Sequence, residues 1–570
     1  MDKAWWRRAV VGSICALLIA TGAAWRPGPP DLRAAEVTFL PVEPVADFPD
    51  AAAPGAIQYA CAPQQSEIEA FFAARKLEFD AALLRRQGAF GVCHVYYEPT
   101  LPGFRAGADS GQVIRIFGDA DPMGFVARRK PVGDSLDIVK AVLRQLPRPV
   151  DVTLSLPALF PPEHSEPALR FHFPDTRHRI SIVTVESTSA VSWAQDYIKA
   201  GQVAGELRIL TPRRLYEGRT DTAAVARSLL DNFKEKPFAR SKLSWEGGDL
   251  QFAADPADAA SLILFYGGTA RDYWGASLSP AECEYVLRTE FGASRAVGLA
   301  SFGPHADMLV SFLPDGKTVL LAEPVRDDLE AANSAVTELL ALYGDRAPPE
   351  LARLPELIGQ IPRAPGPAAA EIRGLIERLR QALPLVPPAG DPELHRALNA
   401  LTRKLCPAEA ASHFSPDCLR AMLQADPGLL ERAVNASADA YQEAAAAPKL
   451  LGLIEAQLPG APAWIETQLD EKANELATLG FRVVRVPYLA APPMLKQWAG
   501  ISYVNLLAVG NRLFVPAFGL GSAEERLFAR MRRDIGAEHE VVAVPSRFSL
   551  LNNAGVHCVF GVVRASILTD

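Results

Sequence analysis

The chain has 570 residues, 22% of them charged and 49% hydrophobic, with a formal net charge of -8. That length accommodates more than one domain, or one large core with an insertion, and the balance is that of a globular protein. A net acidic chain lacks the clustered basic surface of a general nucleic-acid binder, so no nucleic-acid partner is expected. A cationic substrate held by local carboxylates stays open.

Residues 1–25 have the layout of a targeting segment. Lys3, Arg7 and Arg8 precede an apolar run from Ala9 to Ala24, with Gly22 and Ala24 as small residues before Trp25. The run is short for a bilayer span. A cleaved signal peptide is expected, hence export to the periplasm or the exterior. A retained membrane anchor over 9–24 is the alternative. Residues 26–55 are rich in Pro and Ala and read as an extended linker.

An N-terminal α/β region follows over 56–134. Apolar residues at helical spacing (Ile68, Phe71, Phe72, Leu77, Phe79, Leu83, Leu84) predict a helix within 65–88, and 91–97 and 112–117 read as strands. The first part of the core is expected over 135–330. It has a helix at 136–146, strands at 150–156 and 180–185, and a turn at Glu246-Gly247-Gly248-Asp249. A buried strand at 262–266, a helix at 280–291, a strand at 296–299 and a hairpin around Pro314-Asp315-Gly316 complete it. Ala, Leu, Pro and charged residues then dominate over 331–463, which reads as a helical insertion. The α/β pattern returns over 464–570, with a helix at 464–479, a strand at 481–486, a hairpin at 503–517, a helix at 522–534 and a strand at 541–545. No close repeat is visible, yet a strand-strand-helix-strand unit recurs.

The chain has seven cysteines. Cys15 lies in the targeting segment. Cys61 with Cys93, and Cys406 with Cys418, are expected to pair in an oxidising compartment. Cys283 reads as a buried thiol, which leaves Cys558.

Four polar groupings carry chemistry. Cys558 follows the small-residue turn at 552–556 and suits a nucleophile, although most isolated cysteines act as small buried hydrophobes. His557 is discounted as its base, because neighbours on a strand point to opposite faces. His305 and Asp307, in extended chain, would share a face, as an acid/base imidazole beside a carboxylate for a cation. A structural His–Asp pair or two metal ligands are the duller readings. Asp196, after Trp193, reads as a helix N-cap or as a second cation-binding carboxylate. Gly247 and Gly248 allow backbone close to a ligand. One thiol, one imidazole and two carboxylates suit attack on a guanidinium carbon.

With these motifs, the sequence resembles the pentein superfamily of guanidine-modifying enzymes, and within it the catalytic domain of protein-arginine deiminases. The stretches that carry the resemblance are WAQDYIKAG (193–201), FGPHADMLVSFLPDG (302–316), SYVNLLAVGNRLFVPAFG (502–519) and AGVHC (554–558). WEGGDLQF (245–252) looks like the Gly-Gly turn of that superfamily, and 464–487 is similar to the unit leading into its last repeats. The resemblance implies an α/β fold, a five-bladed propeller of ββαβ units with the site at its axis, here carrying the helical insertion. It implies Cys558 as nucleophile, His305 as general acid/base, Asp196 and Asp307 as guanidinium-binding carboxylates, and Trp193, Gly247 and Gly248 beside the substrate. The activity implied is conversion of peptidyl-arginine to peptidyl-citrulline and ammonia, with an arginine-containing protein or peptide as partner. A deiminase for agmatine or free arginine, an amidinotransferase, and a non-catalytic binding module are the alternatives. No cofactor is required by the motifs. Calcium serves the animal enzymes, but Tyr197 and Lys199 stand where acidic ligands are expected and Gln195 alone remains. Arg208, Arg213, Arg214 and Arg219 are the candidates for gripping a substrate backbone.

Overall fold

The computed structural model describes residues 43–44, 56–87, 91–109, 113–119, 125–126, 128, 131–157, 162–174, 176–185, 194–213, 238–268, 278–299, 305–385, 392–406, 416–461, 466–490, 500–551 and 555–564. The expected targeting segment, most of the expected linker, and Trp193, Arg214 and Arg219 lie outside the described residues. Among those residues, no helix is long and apolar enough to cross a membrane.

Six sheets organise a mixed α/β fold, and five of them repeat one pattern. In each, a first strand pairs antiparallel with a second, and the second pairs parallel with a third. The five triplets, in chain order of their first strands, are as follows. Lys199–Val203 leads to Glu206–Thr211 and Phe238–Arg240, and Leu250–Asp255 leads to Asp258–Tyr266 and Arg295–Gly298. Val310–Phe312 leads to Thr318–Pro324 and Arg482–Ala490, and Leu507–Val509 leads to Arg512–Ala517 and Glu540–Pro545. The fifth closes the chain on itself: Gly561–Arg564 pairs with Val113–Asp119, which pairs with Asp151–Pro157. Parallel neighbours need a crossover. Helices Pro280–Phe291, Gly521–Ile535 and Ser135–Gln145 supply it in the second, fourth and fifth triplets.

Local chemistry explains the helix ends. Pro280–Phe291 starts with a Ser279/Glu282 capping box and Pro280 in the first turn, and stops at Gly292, whose φ of 65° is left-handed. Ser135–Gln145 is capped by Asp134, which accepts from Asp137 N at 3.1 Å.

In the third triplet the crossover is swollen by an all-helical stretch from Leu329–Tyr343 to Pro427–Ala456, followed by Glu466–Thr478. Its prolines begin helices rather than break them: Pro349, Pro365, Pro392, Pro416 and Pro427 are first helical residues, where the missing N–H costs nothing. Its aliphatic side chains (Ala335, Leu339, Ile372, Leu375, Leu379, Leu450) share one core with Leu320 and Val484 of the adjoining sheet.

The sixth sheet stands at the N-terminal side, in the order Glu43–Pro44, Ile57–Ala62, Val92–Tyr97, Arg85–Arg86. Cys61 and Cys93 face each other in it and form a disulfide, and Cys406 and Cys418 form a second. Cys283 and Cys558 are buried free thiols. Buried Glu290 binds this region to the triplets, accepting from Tyr97 Oη at 2.7 Å, Thr100 N at 2.8 Å and Ser241 Oγ.

Two expected elements differ. The helix predicted within 65–88 is Gln65–Ala74 only, because Lys76 turns left-handed at φ 56° and Leu77 N folds back onto Phe72 O. Leu77, Phe79, Leu83 and Leu84 still pack on the same core, with Leu83 in a separate short 3-10 turn, Ala81–Leu83. Helix Pro162–His172 was not anticipated; Pro167 inside it masks the signal.

Candidate active site

The chemistry-bearing side chains sit on short turns, each just before the first strand of a triplet. Asp196 lies on the turn Ala194–Tyr197, and Glu246 immediately precedes Gly247–Asp249. His305 precedes Ala306–Met308, which holds Asp307, and Cys558 lies in His557–Val559. Asn505 lies between Gly500–Ser502 and Leu507–Val509. All five triplets thus contribute an entry turn.

These turns converge on Gly248. A Cβ there would stand 2.7 Å from His305 Nδ1, 2.8 Å from Asp196 Oδ1 and 3.1 Å from Asp307 Oδ2, so no side chain fits. Gly248 N donates to Asp196 Oδ1 at 2.8 Å. Gly247 faces elsewhere: its Cβ would meet Gln195 O at 2.0 Å, so it serves the contact between two turns. Asp249 Oδ1 accepts from Ala306 N at 3.2 Å and ties a third turn in.

His305 has a carboxylate on each side. Its Nε2 lies 2.5 Å from Glu246 Oε2 and its Nδ1 3.8 Å from Asp196 Oδ1. Burial alone would lower its pKa, but Asp196 and Glu246 outweigh burial and raise it well above the ordinary imidazole value. Asp196 is pushed up to about 8, chiefly by burial, with Glu246 and Asp307 adding and His305 opposing.

Asp307 is fully buried. Its Oδ2 lies 3.1 Å from His557 Nδ1 and 3.2 Å from Cys558 Sγ. Its Oδ1 has no hydrogen-bond partner among the described residues. Burial favours its neutral form, but the His557 hydrogen bond and the two imidazoles prevail, and its pKa falls below the usual carboxylate value. The Cys558 thiol is held well above its usual value by burial and then by Asp307 and Asp196, against a backbone hydrogen bond from Gly555. An open Asp307 carboxylate oxygen beside a buried thiol suits a planar cation with N–H donors.

Two geometric expectations need correction. His305 and Asp307 do not lie on an extended strand, since Ala306–Met308 is a tight turn. They reach the same place because that turn wraps around Gly248. His557 and Cys558 do not point to opposite faces, because they share a tight turn and both contact Asp307 Oδ2. From the sequence, His557 was considered only as a neighbour of Cys558, Glu246 only as part of a turn, and Asn505 only within a longer motif. Each lay inside a motif already marked, but no periodicity flags a three-residue turn.

Asp196, Glu246 and His305 each offer one atom within 4.8 Å of the others, and are the group whose donors could hold a metal ion. At the place considered for calcium, Gln195 is engaged: in the orientation that satisfies both amide atoms, it accepts from Lys199 Nζ at 2.7 Å and donates to Phe560 O at 2.6 Å. An ammonium there opposes a divalent cation. Burial lowers the Lys199 pKa, opposed by Asp109, Asp307 and Asp196. Arg208 pairs with Glu206 on its own strand.

No family model matches the chain. A 60-residue segment, 10% of the chain, is 42% identical to the agmatine deiminase of Stutzerimonas stutzeri strain A1501. The match spans only 15% of that curated relative's length. Among solved structures, a C. jejuni agmatine deiminase overlays with a TM-score of 0.43 at 12% identity, covering 80% of this chain and 95% of that one. An agmatine deiminase of Enterococcus faecalis gives 0.41 at 12% identity, covering 81% and 96%. A putative arginine deiminase from Porphyromonas gingivalis gives 0.41 at 12%, covering 81% and 99%. Overlays this loose carry no weight by themselves.

Proposed function

We propose that this chain is a guanidine deiminase of the pentein type, a hydrolase that cleaves a guanidinium C–N bond in a small substrate such as agmatine or free arginine. The observation that carries this reading is the convergence of Asp196, His305 and Asp307 around Gly248, with Cys558 Sγ 3.2 Å from Asp307 Oδ2 and Asp307 Oδ1 left open inside a buried site. The 60-residue likeness to an agmatine deiminase favours the small substrate. The five strand triplets are read as the five blades of a propeller, and their entry turns as its axis.

In this mechanism Asp196 and Asp307 receive the guanidinium N–H groups and fix its plane. The cation's charge compensates the two carboxylates, and the Cys558 proton leaves to solvent. The thiolate attacks the central carbon, forming a C–S bond. His305, as imidazolium, gives its proton to the departing nitrogen, and the C–N bond breaks to release ammonia. The neutral imidazole then takes a proton from water while the hydroxide adds to the same carbon. Collapse breaks the C–S bond, leaving a urea group and the free thiol. Each of these roles is filled by a side chain, so the scheme needs no cofactor.

Peptidyl-arginine is the second reading, favoured by the four-motif resemblance to protein-arginine deiminases. Export is proposed with either reading, on the N-terminal apolar run and the two disulfides.

The test is ammonia release from agmatine, free arginine and a blocked arginine peptide, by the native protein and by Cys558→Ala. Turnover of the small guanidines alone, lost in the variant, supports the proposal. Turnover of the peptide alone moves the substrate to protein. Silence with all three, from folded protein, overturns the deiminase reading.

A further inference from the structure

Thiolate formation at Cys558 faces an acidic surrounding. Asp307 Oδ2 is 3.2 Å from Sγ, and Asp196 adds to the same unfavourable field. A nucleophilic sulfur there needs donors. One comes from the backbone at Gly555. The other comes from a different strand triplet: Asn505 Nδ2 lies 3.0 Å from Cys558 Sγ.

The Asn505 amide cannot be turned the other way. Its Oδ1 accepts from His557 N at 2.9 Å and from Cys558 N at 3.3 Å, so the oxygen is fixed by two backbone donors and the N–H must face sulfur. The Asn505 carbonyl also receives Val556 N at 3.0 Å and His557 N at 3.3 Å. Asn505 is fully buried. It presses so closely on the nucleophile turn that a Cβ on Gly555 would stand 2.4 Å from its Oδ1. One side chain therefore both shapes the turn and addresses the reacting atom.

We propose that Asn505 is a catalytic residue of the thiol site: its Nδ2–H stabilises the Cys558 thiolate, while its Oδ1 sets the turn that presents it. This rests on Cys558 being the nucleophile of the function proposed above. An amide donor to an anionic sulfur is a charge-assisted bond, stronger than the same donor to a neutral thiol, so it favours the reactive form.

The experiment follows Cys558 alkylation by iodoacetamide against pH, read by mass spectrometry of the peptide, in native protein, Asn505→Asp and Asn505→Ala. Asn505→Asp keeps the shape and the Oδ1 acceptor but exchanges the donor for a carboxylate oxygen. Thermal melting selects folded variants. The expected result is an alkylation profile moved to higher pH by a unit or more, about tenfold slower at a fixed pH below the midpoint, with kcat falling more than KM rises. An unchanged profile in a folded variant overturns the proposal. A shifted profile in a protein that turns over no guanidine leaves the role of Asn505 standing and sinks the deiminase reading instead.

Discussion

Around Gly248 the chain buries Gln195, Asp196, Asp249, Asp307, Asn505 and His557. Between Leu329 and Ala456 the buried side chains are almost all aliphatic, among them Ala331, Val336, Leu339, Ile372, Leu375, Ile376 and Leu379. Both regions belong to one molecule and both exclude water, yet burial does opposite things in them. In the helices it removes apolar surface from water and stabilises the fold. Around Gly248 it desolvates carboxylates, moves their protonation equilibria and leaves an oxygen unpaired, and the desolvation and the unpaired oxygen cost stability. The difference separates residues retained for packing from residues retained for chemistry.

The largest expected effect is at Cys558. Cys558→Ala should abolish turnover, a loss of about 10⁴-fold or more, since no other described thiol reaches the site. Ammonia release checks it, and residual activity would break the contrast at its sharpest point. Asp307→Asn should lower kcat/KM by roughly 10²–10³, because the carboxylate that faces Cys558 Sγ and keeps an open oxygen has been removed. An unchanged kcat/KM in the folded variant would make Asp307 a packing residue after all. Leu375→Ala should behave inversely, destabilising by about 2–5 kcal/mol in urea titration while kcat of the folded fraction is unchanged.

A pH effect sharpens the same contrast. Asp196 is raised to about 8 and is mostly protonated below that in the empty site. A guanidinium binds its ionised form, so binding releases a proton. Agmatine affinity for Cys558→Ala should rise by up to about tenfold per pH unit towards pH 8 and then level off. Calorimetry giving a flat profile from pH 6 to 9 would contradict it. For the unliganded fold the sign is reversed: stability linked to this proton is full below the ordinary carboxylate range and is lost as pH rises through about 8. The smallest effect expected is at Glu338, which joins the helical stretch to Arg547 at 2.9 Å through partly exposed side chains. Glu338→Gln should cost under about 1 kcal/mol and leave turnover intact.

What was legible in the sequence follows the same division. Helix Pro280–Phe291 announced itself by Ser279, Pro280, Glu282 and Gly292, and the hairpins by their turn residues. Cysteine spacing anticipated both disulfides. The recurring strand-strand-helix-strand unit was visible as an order of predicted elements, and the strand pairing repeats in five sheets. The motif residues Asp196, His305, Asp307 and Cys558 could be marked by type, but not how they face one another. That depends on turns of three or four residues, too short for periodicity to register. The expectation that His557 and Cys558 face apart failed because a strand was assumed where the chain makes a tight turn. Asn505 was missed because an asparagine before an apolar run looks like a loop residue, and its partners lie 52 and 53 positions away.

The pairing of Gly561–Arg564 with Val113–Asp119 has a consequence for synthesis. The nucleophile turn is seated between Asn505 and a strand that docks on one of the earliest elements of the core. Until residues through Arg564 have left the ribosome, the fifth triplet lacks its first strand and Cys558 lacks its seat. A nascent chain can pair the strands of the other four triplets and form the helical stretch before the turn that carries Cys558 is seated. The reactivity proposed for Cys558 would then depend on the last strand of the fold to pair.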